Sequence, residues 1–284
     1  MCQPLHLDAP TWRLLLARLG PSLALWRAAE IAILRQQTFE PPVLDLGCGD
    51  GIVTAAVLDR VALGADPDRR QLQLAGSQGI YDRLEPSLIQ ELELEPGQFG
   101  TIVSNSVLEH VPDLDSVLAA ASRLLRPGGR LVFTVPSERF TCSLALHFRR
   151  YGTWRNLALQ HRNLWPIGTW AHVLKCAGLE IETACSYLRP ELVALWDAFD
   201  LSQQIWIGRT RLVSLLWRRL SPGAFDRLAA VLASLDLSAT SGGGTLIVAR
   251  KPADRVTIHS QSLPLPAPQS PQSPARSLWT QRSP

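Results

Sequence analysis

The sequence predicts an α/β fold in which an open, mainly parallel sheet carries helices on both faces. The first sign is the stretch 42–58, where a short apolar strand (42–46) runs through Gly47, Gly49 and Gly51 into an apolar helical segment (52–58). Glycines at such a junction let a ligand touch the backbone, and free N–H groups at the helix start favour a carboxylate or phosphate. The second sign stands nineteen residues beyond Gly47, where another apolar strand (61–65) ends on Asp66-Pro67. An acid at the strand tip beside the glycine turn is placed to take both ribose hydroxyls of an adenosine, although an aspartate there also suits a helix cap. The third sign is the alternation of strand and helix from 39 to 136, the pattern of parallel strands joined by right-handed crossovers.

Taken in order, residues 1–10 are expected to be poorly ordered. Residues 11–19 and 22–35 read as two helices separated by Gly20-Pro21, which kinks or breaks a helix. Their apolar faces carry Trp12, Leu15, Leu16 and Leu19, then Leu23, Trp26, Ile31 and Leu34. Between 71 and 97 the pattern is weakest, and 87–92 is the best third strand. Residues 99–105 form a fourth strand, apolar as far as Val103 and then small and polar at Ser104-Asn105, the end at which an open sheet binds its ligand. Leu114, Val117, Leu118, Ala121, Leu124 and Leu125 have helical spacing, and Arg126-Pro127-Gly128-Gly129 ends that helix before a fifth strand at 130–136.

Residues 137–156 read as helix and loop with Arg149, Arg150, Trp154 and Arg155, followed by a loop at 161–166 and a helix at 169–177 closed by Gly178. Alternation over 179–188 indicates a half-buried strand, and 245–249, introduced by three glycines, is the last one. About fifty residues separate these two, far more than a hairpin loop. They are expected to form a helical insertion at about 190–236, with helices at 190–200, 205–220 and 225–235. The domain plan is then N-terminal helices at 1–36, a catalytic domain at 37–252, and a Pro- and Ser-rich tail at 253–284 that is expected to be disordered.

Spacing decides between two kinds of glycine turn. The dinucleotide fingerprint would need glycine where Ile52 stands. The run Asp45-Leu46-Gly47-Cys48-Gly49-Asp50-Gly51, the acid Asp66 and the block 99–136 instead resemble the class I S-adenosylmethionine-dependent methyltransferases, near the quinone-biosynthesis and other small-molecule O-, N- and C-methyltransferases. The resemblance implies a Rossmann-like seven-stranded methyltransferase sheet of order 3-2-1-4-5-7-6, whose last two strands pair antiparallel at one edge. It implies S-adenosyl-L-methionine as cofactor, with Asp45, Gly47, Cys48, Gly49 and Gly51 at its methionine end and Asp66 on the ribose. Ser104 and Asn105 would hold the fourth-strand side, and Gln90, Glu91 and Leu92 the adenine. Asp45 also reads as a buried acid bonded to the glycine-turn amides. Gly100 departs from the family, which usually has an aspartate after the aromatic residue.

Methyl transfer from a sulfonium is an in-line displacement, so the protein mainly aligns the reactants and excludes water. His110 is the candidate catalytic base for a hydroxyl acceptor, and a packing role at a helix start is its other reading. In one quinone-precursor branch an E-x-x-E-H pattern here binds a divalent metal, but Ser106 replaces the first acid, and Glu109 with His110 are too few ligands, so no metal is expected. His161 and Arg162, in the loop before the sixth strand, are candidate substrate-binding residues. The reading is a methyltransferase acting on a small-molecule or lipid-linked acceptor. Its alternatives are a non-catalytic S-adenosylmethionine-binding protein and an NAD-dependent oxidoreductase.

A chain of 284 residues can bury a sizeable core, and its net charge of +3 is too small to point to nucleic acid. Five scattered cysteines without C-x-x-C spacing indicate neither a disulfide framework nor a zinc site, and Cys48 reads as a small side chain beside a cofactor. No uncharged apolar run reaches the ~18 residues of a membrane span, and no secretion signal is legible. A cytoplasmic protein is expected. Peripheral membrane contact is an option through the stretch 205–220, where Ile205, Leu212, Val213, Leu216 and Leu220 face away from Arg211 and Arg218, with Arg209 as a misfit.

Overall fold

The computed structural model describes residues 4–207, 210–211, 217 and 219–253. The tail from 254 onward and most of the stretch 212–218 lie outside the described residues, so the expectations placed there go with them. Seven strands form one sheet in the order β3-β2-β1-β4-β5-β9-β6. β1 (Val43–Leu46), β2 (Leu63–Ala65), β3 (Leu84–Glu85), β4 (Phe99–Asn105) and β5 (Leu125–Pro136) run parallel, while β9 (Gly244–Arg250) is antiparallel to β5 and to β6 (Glu180–Tyr187). This is the expected order, with β9 as the seventh strand of the sheet. Ligand chemistry in such a sheet belongs at the carboxyl ends of β1, β2 and β4.

One face of the sheet is covered by α1 (Ala9–Leu34), a helix with a kink at Gly20, where φ is 76° and ψ 177°. Asp8 caps it by accepting from the Thr11 N–H at 2.8 Å. The expectation of a poorly ordered start is corrected for residues 4–10. Leu5 and Leu7 are buried, the Leu5 N–H donates to Asp236, and the Leu5 carbonyl accepts from the Leu237 N–H at 2.8 Å. Two core leucines and these two bonds to Asp236 and Leu237 fix a segment too short to show periodicity. On the other face lie α4 (Leu114–Leu124) and α6 (Ile167–Cys176), whose apolar sides share a core with β4 and β5.

The third strand is a correction in register. β3 occupies Leu84–Glu85, and the expected strand at 87–92 is instead a 3-10 turn over Ile89–Glu91. Ile89 and Leu92 are both buried because residues three apart lie on one side of such a turn, a spacing that mimics an apolar strand. Gly100 also finds its reason: a Cβ there would stand 2.5 Å from the Glu40 carbonyl oxygen and 2.8 Å from that of Pro41. The chain crossing at 40–41 occupies the space in which a side chain would start.

Between β6 and β9 the insertion holds α7 (Pro190–Gln203) and α8 (Pro222–Ala233), as expected, but no continuous helix at 205–220. Trp206–Ile207 (β7) pairs antiparallel with Thr210–Arg211 (β8). In the sequence, β-favouring apolar residues followed by glycine suit paired strands, a signal that the helical spacing concealed. Before β6, α5 (Arg149–Ala158) follows the short turn Phe140–Ser143. No helix among the described residues is long and apolar enough to cross a membrane.

Candidate active site

The glycine bend is pinned to the tip of β2. Gly47 and Cys48 N–H groups donate to the Ala65 carbonyl at 2.8 and 3.2 Å, and the Gly49 N–H donates to Asp66 Oδ2 at 3.0 Å. Asp66 Oδ1 accepts from the Asp68 N–H at 2.8 Å, so the carboxylate is fixed by two amides and keeps lone pairs for a ligand. Gly49, at φ 53°, has open space where a Cβ would be and therefore bares its backbone to the cleft.

Gly51 serves a different neighbour. A Cβ on it would come within 2.9 Å of the Tyr81 ring, and one on Gly64 within 2.8 Å of the same ring. Tyr81 lies between these two glycines and donates its hydroxyl to Asp45 Oδ2 at 2.7 Å. Asp45 is 1% exposed, and burial pushes its carboxyl up to about 6 against the bonds from Thr54 and Tyr81. The reading of Asp45 as bonded to the glycine-turn amides is corrected, since the Gly47 and Cys48 amides serve Ala65, that of Gly49 serves Asp66 and that of Gly51 serves Cys48. Cys48 is buried among Asp45, Asp66 and Asp50, which with desolvation raises its thiol, so it is a space-filling residue and not a nucleophile.

Two lobes of one cleft meet at Gly47, Asp66, Ser106 and Val107. A polar lobe of about 340 Å³ is lined by Arg27, Asp45, Gly49, Asp50 and Asn105 among others. A more apolar lobe of about 370 Å³ is lined by Pro67, Leu88, Ile89, Gln90, Val111 and Val117. Three of the sequence candidates are placed elsewhere. Glu91 turns back to accept from the Leu88 N–H, Leu92 is buried, and the Ser104 hydroxyl donates to the Leu46 carbonyl inside the sheet.

A third cavity, of about 150 Å³, shares Leu23, Arg27 and Ser106 with the polar lobe and is walled by Trp26, Phe140 and Trp196. Glu109, His110 and His161 face into it. His110 Nδ1 lies 3.3 Å from the Gln160 carbonyl, which can only accept, so the neutral ring keeps its proton there and leaves a lone pair on Nε2. Burial lowers the His110 imidazole and takes that of His161 down to about 4, so both are neutral near pH 7. Glu109 is 1% exposed, burial pushes it up to about 8, and its Oε2 has no hydrogen-bond partner. Its segment is clamped by the loop the sequence singled out: Arg162 and Asn163 N–H groups donate to the Glu109 carbonyl, and Asn163 Nδ2 donates to Leu108 and Val111. Arg162 contributes that backbone contact while its side chain is exposed.

Glu109, His110 and His161 offer ligand atoms within 4.8 Å of one another, the one such set among the described residues. With a single carboxyl beside two imidazoles, the set offers few oxygen ligands for a hard cation. Sequence reasoning missed Glu30. Fully buried, it accepts from Trp26 Nε1 at 2.8 Å, Arg27 at 2.6 Å, Asn105 Nδ2 at 3.0 Å and the Ser106 hydroxyl. A lone acid in the apolar helical run 28–34 was the available signal.

The sheet order and the cleft define an α/β protein with a two-lobed cleft at the strand tips. The chain belongs to the methyltransferase-domain family, whose model matches residues 12–184. Over 109 residues it is 32% identical to the ubiquinone biosynthesis O-methyltransferase of Vibrio atlanticus, a match covering 36% of this chain and 46% of that protein. Over 101 residues it is 40% identical to the trans-aconitate 2-methyltransferase of Deinococcus radiodurans, covering 34% and 38%. The chain thus spans less than half the length of these curated relatives. The solved structure of an S-adenosylmethionine-dependent methyltransferase of Thermotoga maritima shares the fold, with a TM-score of 0.55 at 14% identity over 85% of this chain and 99% of that one.

Proposed function

We propose that this protein is an S-adenosylmethionine-dependent methyltransferase that transfers the methyl group to a small-molecule acceptor by in-line displacement. The observation that carries the reading is the junction at Arg27 and Ser106, residues that line both the strand-tip cleft and the aromatic cavity faced by His110 and His161. Asp66 would take the ribose hydroxyls, the lobe lined by Leu88, Ile89 and Gln90 the adenine, and Asp45, Gly49 and Asn105 the methionine end. When bound, the donor supplies the methyl carbon and its own sulfur leaving group. Trp26, Phe140 and Trp196 exclude water from an acceptor stacked in the third cavity. His110 Nε2 is the base that receives the proton of a hydroxyl acceptor as its oxygen bonds to the methyl carbon and the carbon–sulfur bond breaks. His161 lines the same cavity as a positioning group.

Titration calorimetry tests the donor half. Purified protein is expected to bind S-adenosylmethionine and not NAD, and Asp66→Ala to weaken that binding by about a hundredfold, the worth of two charged hydrogen bonds. A folded protein that ignores S-adenosylmethionine overturns the proposal. Incubation with radiolabelled methyl donor and hydroxylated aromatic acceptors tests the other half: binding without transfer to any acceptor would favour the binding-only alternative.

A further inference from the structure

We propose that the outer face of α5, with the loop before it, docks on an anionic lipid bilayer. Four large apolar side chains are exposed within residues 146–157: Leu146 at 46%, Phe148 at 56%, Trp154 at 46% and Leu157 at 73%. On the helix itself, Arg150, Trp154 and Leu157 fall within an arc of roughly 60°, at about 100° per residue, while Tyr151, Gly152 and Arg155 point inward and are buried. The helix is bedded firmly. Arg155 pairs with Asp197 and Asp200 of α7, and the Tyr151 hydroxyl donates to Asp197 at 2.6 Å. These apolar groups are therefore held outward by a fixed element.

Charge names the occupant. No Asp or Glu occurs between Glu138 and Glu180, while Arg139, Arg149, Arg150, Arg155, Arg162 and Lys175 do. Arg155 is neutralised inside, but Arg139, Arg149, Arg150 and Arg162 meet no carboxylate among the described residues. Aromatic and aliphatic side chains interleaved with unpaired arginines and lacking acids match the interface of a bilayer with negative headgroups. The same stretch opens a cavity of about 600 Å³, with Phe148, Arg149 and Leu157 in its lining and His161 also in its wall. His161 lines the aromatic cavity as well, so the two cavities share one wall residue, beside which a lipid-borne acceptor with a polar head and an apolar tail would be taken up. That last step rests on the methyltransferase reading, whereas the docking does not.

Flotation of the full chain with phosphatidylcholine vesicles, and with vesicles of equal parts phosphatidylcholine and phosphatidylglycerol, tests the surface. Binding is expected to the anionic vesicles and to fall steeply with added salt. Arg149→Glu/Arg150→Glu is expected to lower the partition by at least about tenfold through lost charge attraction. Trp154→Ser/Leu157→Ser is expected to lower it about as far through lost apolar burial. Calorimetric S-adenosylmethionine binding measured on the same variants reports that they are folded. The docking is overturned if wild-type protein stays with neither vesicle, or if both variants float as well as the parent. It is also overturned if the variants instead convert a dimer to a monomer with no lipid effect, since the face would then belong to a second copy. Wild-type protein that floats but binds no methyl donor would leave the docking standing and sink the methyltransferase reading alone.

Discussion

Asp45 is a buried carboxyl served by the Thr54 and Tyr81 hydroxyls, with the acid Asp66 nearby. Its folded value of about 6 lies above the 3.8 of an exposed aspartate. Between those values the native state holds a proton that the unfolded chain has released, so stability falls as pH rises through that window and stays lower above it. Two pKa units correspond to about 3 kcal/mol. Asp45→Asn keeps an oxygen for Tyr81 and removes the charge. It is therefore expected to unfold at higher denaturant than the parent at pH 8, with the difference gone below about pH 4. Urea titrations across that range check it, and an Asn variant less stable at pH 8 would show that the charge is solvated after all. The same variant is expected to bind the cationic donor more weakly, a familiar conflict between stability and function. Asp45, Gly47, Gly49 and Asp66 were legible in the sequence because the first three sit in one strand-turn-helix unit and Asp66 ends the strand that follows it. Tyr81 and Glu30 were not, because their bonds join residues 36 and 75 positions apart.

At the scale of elements, α5 and α7 are joined through Asp197. The Arg155 Nε lies 2.8 Å from Asp197 Oδ1 at 1% and 0% exposure, an ion pair whose two atoms are not aligned as a hydrogen bond. Asp197 Oδ2 accepts from Tyr151 and from the Ala145 N–H. Asp197→Ala leaves a guanidinium buried beside Asp200 alone, and a loss of about 3–5 kcal/mol in equilibrium unfolding is expected. Arg155→Met/Asp197→Leu removes both charges and is expected to recover most of that loss; a double variant as unstable as the single one would assign the cost to packing. Elements of this kind were read well where the period was long, as in α4 and β4, whose expected limits differ from the observed ones by one residue at most. β3 was misplaced because it is two residues long and is held by its register, Gly64 opposite Leu84, more than by its composition. The β7–β8 pair is hidden in the sequence because leucines further along extend an apparent helical face across Gly208.

For the molecule as a whole, α1 decides whether the acceptor side exists. Fourteen of its 26 residues are buried, and they share one core with β1, α7 and α8. The same helix delivers Trp26, Arg27 and Glu30 to the third cavity and its rim, a role that the helical spacing of residues 11–35 alone does not show. Removing a single buried Trp or Leu costs about 2–5 kcal/mol, and a domain of this kind is stable by only about 5–15 kcal/mol in total. A chain lacking residues 1–36 is therefore expected to aggregate on expression, with no donor binding. Glu30→Gln separates the helix's packing role from its chemical one. The amide keeps the volume but cannot accept from all four donors, and Arg27 loses its counter-charge. This variant is expected to stay folded and to bind the donor, while acceptor turnover drops by about tenfold or more as Ser106 and Arg27 lose their fixed positions. Circular dichroism, donor calorimetry and kcat measured on one preparation give the three readouts. A truncated chain that folds and binds donor would make α1 an accessory, and a Glu30→Gln enzyme with full turnover would place the acceptor away from the Arg27–Ser106 junction.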